Sequence, residues 1–496
     1  MNEPRAGSSP NASELPPDTG IVHVVSEYWP YARTGGLGEA VRGIATYQAA
    51  SGVPTTIILP LYRCVRDNTV GLRALPKALT VPFGATTIEA GLFEHVPEPG
   101  GPRVLFVDHP ELYDRDGIYG SGGSDYPDNH IRFGFLARAA LEAVRRLGSS
   151  QYVLHAHDWH AALVPVYQRT VLSGTDVFDR SAAVLSVHNA GYQGLFSPEV
   201  LAPLGLPESL HQWNRMEWYG ALNWLKGGLV FADYVGTVSA THAHELRTPT
   251  GGFGLHDRFI GLGDRLVGIR NGIDLSIWNP ETDPEIEVNY GPADLAGKSQ
   301  CKAALQEAYG LRVEAEVPLV AMTARLAKQK GFDLILGDGL LDRVEAQFIF
   351  LGEGDQGYAD ALADAARRHP DRIAARFEFT ELREHRLLSG ADLLMMPSLY
   401  EPCGLTQMRA QRYGALPVVR RVGGLNDTVE DQMTGFVFDE YEPWALEVAL
   451  RRAIATYRSG SWAWHQREAM SRDFGWEDSA RRYAEVYRRA LAMRSA

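Results

Sequence analysis

The stretch "IVHVVSEYWPYARTGGLGEA", residues 21–40, joins an apolar run to a glycine-rich turn. The apolar run (21–26) is continuous rather than alternating, which is typical of a strand covered on both faces of a parallel sheet. In the turn, Gly35 and Gly36 allow the backbone to approach a ligand closely, and Arg33 adds one fixed positive charge. The stretch therefore predicts the first strand–turn–helix unit of an α/β domain.

The turn matches neither standard phosphate-binding motif. The dinucleotide fingerprint G-x-G-x-x-G requires a glycine where this chain has Val41, and the P-loop requires a lysine directly after its last glycine. A helix that begins near Leu37 would offer free N–H groups to an anion. A tight strand–helix turn with a surface arginine fits the same residues, so the local sequence leaves both interpretations open.

Apolar runs of the same kind recur along the chain and alternate with amphipathic segments, a pattern that predicts doubly wound α/β domains. Between the two series lies an acidic stretch with three prolines, residues 279–297, which we interpret as a linker. We predict two Rossmann-like domains that face each other across a ligand-binding cleft. The runs are 21–26, 55–61, 103–110, 152–158, 183–189 and 234–239, then 319–326, 347–354, 375–379, 393–398, 416–424 and 435–439.

These patterns set the predicted boundaries. Residues 1–20 are rich in proline, serine and asparagine without the apolar core of a signal peptide, so we predict a disordered tail. The domains cover 21–280 and 298–475, with 281–297 as linker and hinge. Apolar residues at helical spacing over 476–496 predict a C-terminal helix.

Composition excludes several classes of function. The 496-residue chain has 48 basic and 61 acidic residues, a net charge of −13, which argues against nucleic-acid binding. No apolar run reaches the ~18 residues of a membrane span. Cys64, Cys301 and Cys403 form neither a CxxC pair nor a disulfide framework, which favours a reducing cytoplasm.

Two cations follow the first strand of the second series. Arg325 and Lys330, in "ARLAKQKG" (324–331), could neutralise a diphosphate, and arginine adds bidentate geometry. Taken alone, a solvated basic loop is the alternative. Because further polar motifs follow neighbouring strands in an otherwise acidic protein, we favour an anionic ligand.

"HAHDWH" (155–160) suggests a metal site, since histidine is a common ligand. We place His155 and His157 on opposite faces of the strand end, and therefore predict no metal. Asp158 suits a sugar hydroxyl or a hydrogen bond within the loop. His188 ends another strand with no cysteine or acidic ligand beside it, and a hydrogen-bonded core histidine is its alternative.

Glu401 lies in "YEPCGLT" (400–406). Pro402 restricts Glu401 to an extended conformation, and Gly404 is placed to open a helix. A carboxylate held beside helix N–H groups suits a polyhydroxyl ligand. Cys403 has no neighbouring histidine, so we interpret it as a packed thiol rather than a nucleophile.

Together these stretches resemble the bacterial glycogen synthase and plant starch synthase family. The resemblance runs in order from about residue 20 to the end of the chain. It is carried by "TGGLGEA", "HAHDWHAALVPVY", "SVHNAGYQGLF", "NWLKGGLVFADYVGTVS", "GIRNGIDLSIWNPETDP", "ARLAKQKGFDLIL" and "PSLYEPCGLTQMRAQRYGALPVVRRVGGLNDTV", together with the closing aromatic helix.

The resemblance implies a GT-B glycosyltransferase that moves glucose from ADP-glucose to the non-reducing end of an α-1,4-glucan with retention of configuration. It implies neither a metal nor another cofactor. Residues 21–280 would form the acceptor-side domain and 298–475 the nucleotide-sugar domain, with the final helix returning to the first domain.

It also implies residue roles. Arg325 and Lys330 would hold the diphosphate, Glu401 would lie beside the donor glucose, and the backbone carbonyl of His188 would face the anomeric carbon. The glucosyl and acceptor side would include Tyr119, Asp158, Asn189 and Asn223, and the donor site Arg33, Gly35, Gly36, Gly404, Leu405, Thr406, Gly423 and Gly424.

Three positions depart from the family pattern. Arg33 replaces a usual lysine, Glu39 stands where an aspartate is frequent, and Arg409 occupies the position of a second acid in many related retaining transferases. Two alternatives therefore remain: the same fold with UDP-glucose or another glycan acceptor, and a catalytically weak protein that binds glucan or nucleotide. Oligomeric state is left open.

Overall fold

The computed structural model describes residues 15–95 and 99–495. Contacts between Cα atoms divide the chain into two units. One unit comprises the residues up to Gly272 together with those from Trp476 onward, and the other is Ile273–Gly475. Each unit has a parallel sheet with helices connecting its strands, which confirms the predicted doubly wound α/β class.

The first unit is built on a ten-stranded sheet. Seven neighbouring strands are parallel, and the predicted apolar runs of the first half all lie among them. In spatial order they are Leu266–Gly268, Tyr234–Thr237, Ala182–Val187, Gln151–His157, Thr19–Val24, Thr55–Pro60 and Arg103–Asp108.

Three antiparallel strands, which the apolar runs did not predict, extend this sheet beyond Arg103–Asp108. Thr86–His95 pairs with Arg103–Asp108, and Leu79–Phe83 and Arg73–Ala74 both pair with Thr86–His95. Leu79–Phe83 alternates buried and exposed residues. Such alternation marks a sheet with one solvated face, and it lacks the continuous apolar run by which the other strands are identified.

The helices of the first unit begin with Leu37–Ala50, at the predicted position, with Gly36 as N-cap. Its buried face includes Val41, Ile44, Ala45 and Gln48, which recur at helical spacing. The other helices are Arg63–Asn68, Pro110–Tyr113, Asn129–Val144, Asp158–Ala161, Leu163–Arg169, Trp224–Phe231, Ala240–Glu245, His256–Gly261 and Glu477–Ser495; short strands lie at Gly120–Ser121, Ser124–Asp125, Leu195–Phe196, Glu217–Trp218 and Ala221–Asn223.

The C-terminal helix, Glu477–Ser495, packs in the first unit although it follows the second in sequence. Its buried face includes Tyr483 and Tyr487, which share a core cluster with Ile21 and Val153 of the central strands. The helix thus covers the strands that carry the histidines of the candidate site.

The second unit has a six-stranded, all-parallel sheet. The predicted run 375–379 is shifted, because the strand there is Ile373–Arg376. The strands, in spatial order, are Ile373–Arg376, Gln347–Leu351, Leu319–Thr323, Leu393–Met396, Leu416–Arg420 and Phe436–Phe438; the helices are Ala296–Ala308, Phe332–Leu336, Leu340–Arg343, Gln356–Arg368, Glu381–Gly390, Thr406–Arg412, Gly423–Thr428, Pro443–Tyr457 and Trp462–Met470.

Two predicted boundaries require correction. The segment 281–297 is not a linker, because it packs inside the second unit: Asp283 accepts hydrogen bonds from His385 (2.7 Å) and Tyr413 (2.5 Å). Tyr290 is likewise buried. Acidic and proline-rich composition suggested a linker, but partners about a hundred residues away bury these side chains. The predicted tail is also too long, since a strand begins at Thr19; residues 1–14 lie outside the described residues.

Candidate active site

The glycine turn of the first unit surrounds a carboxylate of the protein itself. Glu27 is buried and accepts hydrogen bonds from the backbone N–H of Thr34 (2.7 Å) and Gly35 (3.2 Å). The Thr34 hydroxyl (2.7 Å) and the Tyr119 hydroxyl (2.5 Å) also donate to it. Two N–H groups of the turn are therefore already satisfied. Glu27 was not among the predicted site residues, although this acid lies shortly after the first strand.

Arg33 also has a partner within the turn. Its guanidinium donates to the Glu39 carboxylate at 2.5 Å, and the two side chains are 27% and 20% exposed. Glu39 lies in the first turn of helix Leu37–Ala50, where a negative charge is favoured by the helix dipole. Two of the three departures from the family pattern, Arg33 and Glu39, therefore form one ion pair.

Asp158 fixes the backbone of the neighbouring strand end. It has a positive φ of 53° and begins the helix Asp158–Ala161. Its Oδ1 accepts hydrogen bonds from the backbone N–H of His188 (2.7 Å) and Asn189 (3.3 Å). Burial raises the pKa of Asp158 to about 7, against the lowering effect of these two bonds. Of the two predicted roles, the structure shows the hydrogen bond within the loop.

The placement of His155 and His157 on opposite faces was wrong. Side chains two positions apart in a strand share a face, and the rings of these two lie 4.2 Å apart between centroids. His23 is the register partner of His155 on the next strand, and its ring joins the same group. The three histidines carry nitrogen atoms within 4.8 Å of one another, a spacing compatible with a metal ion.

Every ring nitrogen of this trio already has a hydrogen-bond partner. His23 contacts His157 (3.0 Å) and Gln48 (2.8 Å), and the other nitrogen of His157 contacts His188 (3.0 Å). His155 contacts Tyr487 and Ser186, each at 2.7 Å. A metal would have to displace this network, so the arrangement favours a hydrogen-bonded cluster.

Burial keeps the cluster neutral. Desolvation lowers the pKa of His23 to about 4 and that of His188 to about 3. The pKa values of His155 and His157 are lowered well below the usual value for the same reason. At neutral pH each ring therefore has one N–H donor and one bare acceptor nitrogen.

Two predicted substrate residues, Tyr119 and Asn223, form hydrogen bonds to other groups of the protein. The Tyr119 hydroxyl bonds to Glu27 and Ser26, and its ring stacks on His160 at 4.6 Å. Asn223 is completely buried and caps helix Trp224–Phe231 by accepting the Lys226 N–H at 2.9 Å. Its amide N–H donates to Gln193 at 2.6 Å. The side chain of Asn223 is thus engaged within the fold, and its contact with substrate stays a prediction.

The predicted cations of the second unit differ in their surroundings. Lys330 ends a short turn, Lys328–Lys330, and donates to the Glu401 carboxylate at 2.6 Å. Glu401 is nearly buried and also accepts from the Ser398 hydroxyl at 3.0 Å. Arg325 is exposed, and within residues 15–95 and 99–495 its side chain has no ion pair or hydrogen bond.

The glycine pair after the strand Leu416–Arg420 lies against the Glu401 loop. A Cβ on Gly423, which has φ of 44°, would collide with the Glu401 carbonyl oxygen. The Gly424 N–H donates to the carbonyls of Glu401 and Pro402, each at 3.1 Å. These glycines therefore set the shape of the loop by close backbone approach. Gly404 takes φ of 70°, and Leu405 and Thr406 follow it at the start of helix Thr406–Arg412.

Arg409 and Cys403 belong to the packed interior of the second unit. Arg409 pairs with Glu384 at 3.1 Å and lies over the Trp278 ring at 4.1 Å. Cys403 is buried, and all three cysteines are free thiols. The structure therefore gives Arg409 a place in core packing.

Two Rossmann-like units, one with a buried polar cluster at its strand ends and one with cations and a carboxylate at its own, define a GT-B glycosyltransferase. Residues 20–260 match the family model "Starch synthase catalytic domain", and residues 317–456 match "Glycosyl transferases group 1". The chain belongs to the glycogen and starch synthase family, as the resemblance predicted, and is a glucosyltransferase enzyme.

Individual relatives support the same family assignment. A glycogen synthase of Anaeromyxobacter dehalogenans is 43% identical over 94% of this chain and 98% of its own length, and one of Syntrophotalea carbinolica is 40% identical over 96% and 100%. The catalytic domain of starch synthase IV from Arabidopsis thaliana, solved with ADP and acarbose, has a TM-score of 0.89 and 33% identity over 95% of this chain and 99% of that one. Within the described residues, no helix is long and apolar enough to cross a membrane.

Proposed function

We propose that the protein transfers glucose from ADP-glucose to the non-reducing end of an α-1,4-glucan, with retention of anomeric configuration. The solved starch synthase IV domain, which binds ADP and acarbose, supports this donor and this class of acceptor. Relatives at about 40% identity over nearly the whole chain bear the name glycogen synthase. The reaction would take place in the cytoplasm, a reducing compartment that suits three free thiols.

The observation that carries the proposal is the set of charges at the strand ends of the second unit. Arg325 has an exposed guanidinium without a partner among the described residues, and Lys330 is held in place by Glu401. When the glucosyl bond breaks, negative charge develops on the departing nucleoside diphosphate. Fixed cations stabilise that charge directly, so the reaction needs no metal and no further cofactor.

In this proposal Glu401 has two tasks. Its carboxylate aligns the Lys330 ammonium at 2.6 Å, and its remaining acceptor capacity is available to a glucose hydroxyl. The N–H groups that open helix Thr406–Arg412, near Gly404, Leu405 and Thr406, would lie on the donor side. Gly423 and Gly424 would act through the shape that they give to the Glu401 loop.

The first unit would supply the neutral groups for the sugar. His188 and Asn189 would face the transferred glucose, with the His188 carbonyl near the anomeric carbon. Asp158 would hold that backbone through its two accepted hydrogen bonds. Tyr119, together with Glu27, would keep Gly35 and Gly36 in position beside the ligand.

The test measures nucleoside diphosphate release during incubation with glycogen and either ADP-glucose or UDP-glucose. We expect ADP-glucose to be preferred, and the added glucose to be released by an exo-amylase specific for α-1,4 bonds. Glu401→Ala serves as the inactive control. Turnover with UDP-glucose but not with ADP-glucose would show that UDP-glucose is the donor. An absence of turnover with both donors would contradict the proposal.

UDP-glucose is a second candidate donor because Arg33 replaces the family's usual lysine. Arginine is larger and planar, and the two residues are not interchangeable at a close contact. Competition between both donors in one reaction, repeated with Arg33→Lys, separates the effect of this residue from the preference of the fold.

A further inference from the structure

Four histidines of the first unit belong to one continuous series of hydrogen bonds. It starts at His188, passes through His157 (3.0 Å) and His23 (3.0 Å), and reaches the Gln48 amide (2.8 Å). Gln48 bonds onward to the Tyr487 hydroxyl (3.1 Å), which bonds to His155 (2.7 Å), which in turn bonds to Ser186 (2.7 Å). This chain of hydrogen bonds joins a strand end of the candidate site to the C-terminal helix.

The Gln48 amide gives this chain a direction. Its Nε2 can only donate and does so to Tyr487, while its Oε1 can only accept and faces His23 Nε2. His23 must therefore carry its proton on Nε2, which leaves Nδ1 as an acceptor for His157 Nε2–H. By the same step, His157 Nδ1 accepts from His188 Nε2–H.

The free end of the chain is His188 Nδ1. Within the described part of the protein this nitrogen has no hydrogen-bond partner, and His188 is partly exposed whereas His23 and His157 are buried. With the proton fixed on Nε2, Nδ1 offers a bare lone pair. That atom accepts a hydrogen bond from a hydroxyl group and rejects an acceptor placed at the same point.

We propose that Gln48 is a positioning residue that sets the tautomer of His188 through His23 and His157, so that Nδ1 accepts a hydroxyl hydrogen of the bound sugar. Only the nature of the ligand rests on the proposed function. Gln48 lies on the buried face of helix Leu37–Ala50, behind these strands, so it acts without touching substrate.

The branch through Tyr487 provides a matched control. The Tyr487 hydroxyl accepts from Gln48 and donates to His155 Nδ1, which places the His155 proton on Nε2 toward Ser186. Removing this hydroxyl deprives His155 of its donor, but the Gln48 oxygen still accepts from His23. Tyr487→Phe should therefore change the tautomer of His155 and leave that of His188 as it is.

The experiment is a two-bond ¹H–¹⁵N spectrum of the full chain labelled with ¹⁵N-histidine, with the His188 signal assigned by its loss in His188→Gln. In the unmodified protein we expect His188, His157 and His23 as neutral Nε2–H tautomers. A His188 proton on Nδ1, a charged His188, or metal-shifted signals from His23 and His157 would each overturn the proposal. This spectrum needs no donor sugar, so its outcome is independent of the proposed reaction.

Variants then connect the tautomer to turnover. Gln48→Leu removes the acceptor, so we expect a mixture of His188 tautomers and a loss of about tenfold in kcat/KM, as for one lost hydrogen bond. Tyr487→Phe should retain kcat/KM and shift only the His155 signal. If Gln48→Leu does not fold, the spectrum of the unmodified protein still tests whether His188 carries its proton on Nε2. A folded Gln48→Leu with an unchanged His188 signal would overturn the proposal.

Discussion

The candidate-site residues of the two units satisfy their polar groups in opposite ways. In the first unit, Glu27, Asp158 and the histidine chain are buried and bonded to other groups of the protein. In the second, Arg325 is exposed without a protein partner among the described residues, and Lys330 keeps 20% of its side chain exposed. One region has its polar groups bonded within the protein in advance, and the other offers charge to a ligand.

This difference follows from the cost of burying charge. An imidazolium or an isolated carboxylate loses its hydration when buried, so buried groups become neutral or find partners. Such an environment suits an uncharged sugar, whose hydroxyls need donors and acceptors at fixed positions. A diphosphate needs cations that remain charged, and these are stable only near solvent or beside an acid. Substitutions in each unit can therefore test the contrast.

The largest expected effect comes from the cations of the second unit. Lys330→Ala should lower kcat/KM by about 10³-fold, or ~4 kcal/mol, because it removes a fixed charge from the departing diphosphate and leaves Glu401 unpaired. Steady-state kinetics with ADP-glucose measure this loss. Lys328→Ala, an exposed lysine two positions earlier in the same turn, is the matched control and should stay near the unmodified rate. Equal losses in both variants would mean that general positive charge, rather than placement, matters.

In the first unit, Asp158→Asn should change how stability depends on pH. Burial raises the pKa of Asp158 in the folded state to about 7, above the usual value of 3.8. Between these pH values Asp158 is protonated in the folded state and ionised in the unfolded state. Its contribution to the stability of the folded state is therefore full below about pH 4 and is lost as pH rises to about 7. At ~1.4 kcal/mol for each pKa unit, the contribution amounts to roughly 4 kcal/mol.

Asparagine suits this test because it tolerates positive φ and still offers one acceptor oxygen. Urea unfolding of both proteins between pH 4 and 8 gives the difference in unfolding free energy. We expect the unmodified protein to lose stability relative to Asp158→Asn as pH rises to about 7. Parallel curves, or a difference of opposite sign, would show that the carboxylate is not strained by burial.

The sequence predicts the fold well because continuous apolar runs are a local signal. The six runs of the first half and five of those in the second half lie on the observed strands, and the helix after the glycine turn begins at Leu37. The antiparallel strands around Thr86–His95 were missed because their alternating pattern differs from a continuous apolar run. The segment 281–297 was misinterpreted because its burial depends on partners far along the chain, such as His385.

The candidate site could be predicted only in part for the same reason. The charged residues at strand ends, such as Lys330 and Glu401, stand in short recognisable motifs. The shared face of His155 and His157 follows from their spacing alone, because side chains two positions apart in a strand point the same way. The bond from Gln48 to Tyr487 joins residues 439 positions apart, and no local pattern encodes it.

A smaller effect should come from Asn223, which separates structural support from substrate contact. Asn223→Ala removes a helix cap and a buried hydrogen bond, so we expect a loss of about 1–2 kcal/mol in unfolding free energy. Since its side chain is engaged within the fold, kcat/KM for the folded fraction should change by less than about threefold. Asn223→Ser, which keeps a neutral side-chain oxygen suited to the helix cap, is the control. A large fall in kcat/KM with unchanged stability would instead support the predicted substrate contact.

The smallest effect is expected at Arg33, the cation of the first unit's glycine turn. One guanidinium N–H donates to Glu39, and among the described residues the others have no protein partner. Lysine keeps the charge and one bond to Glu39, so Arg33→Lys should change unfolding free energy by less than ~0.5 kcal/mol. We also expect the ratio of kcat/KM for ADP-glucose and UDP-glucose to shift by less than about threefold. Glu39→Gln, which frees the arginine, is the companion variant. A shift of about tenfold or more in Arg33→Lys would place this arginine against the donor, and the first unit would then contribute charge as well as neutral groups.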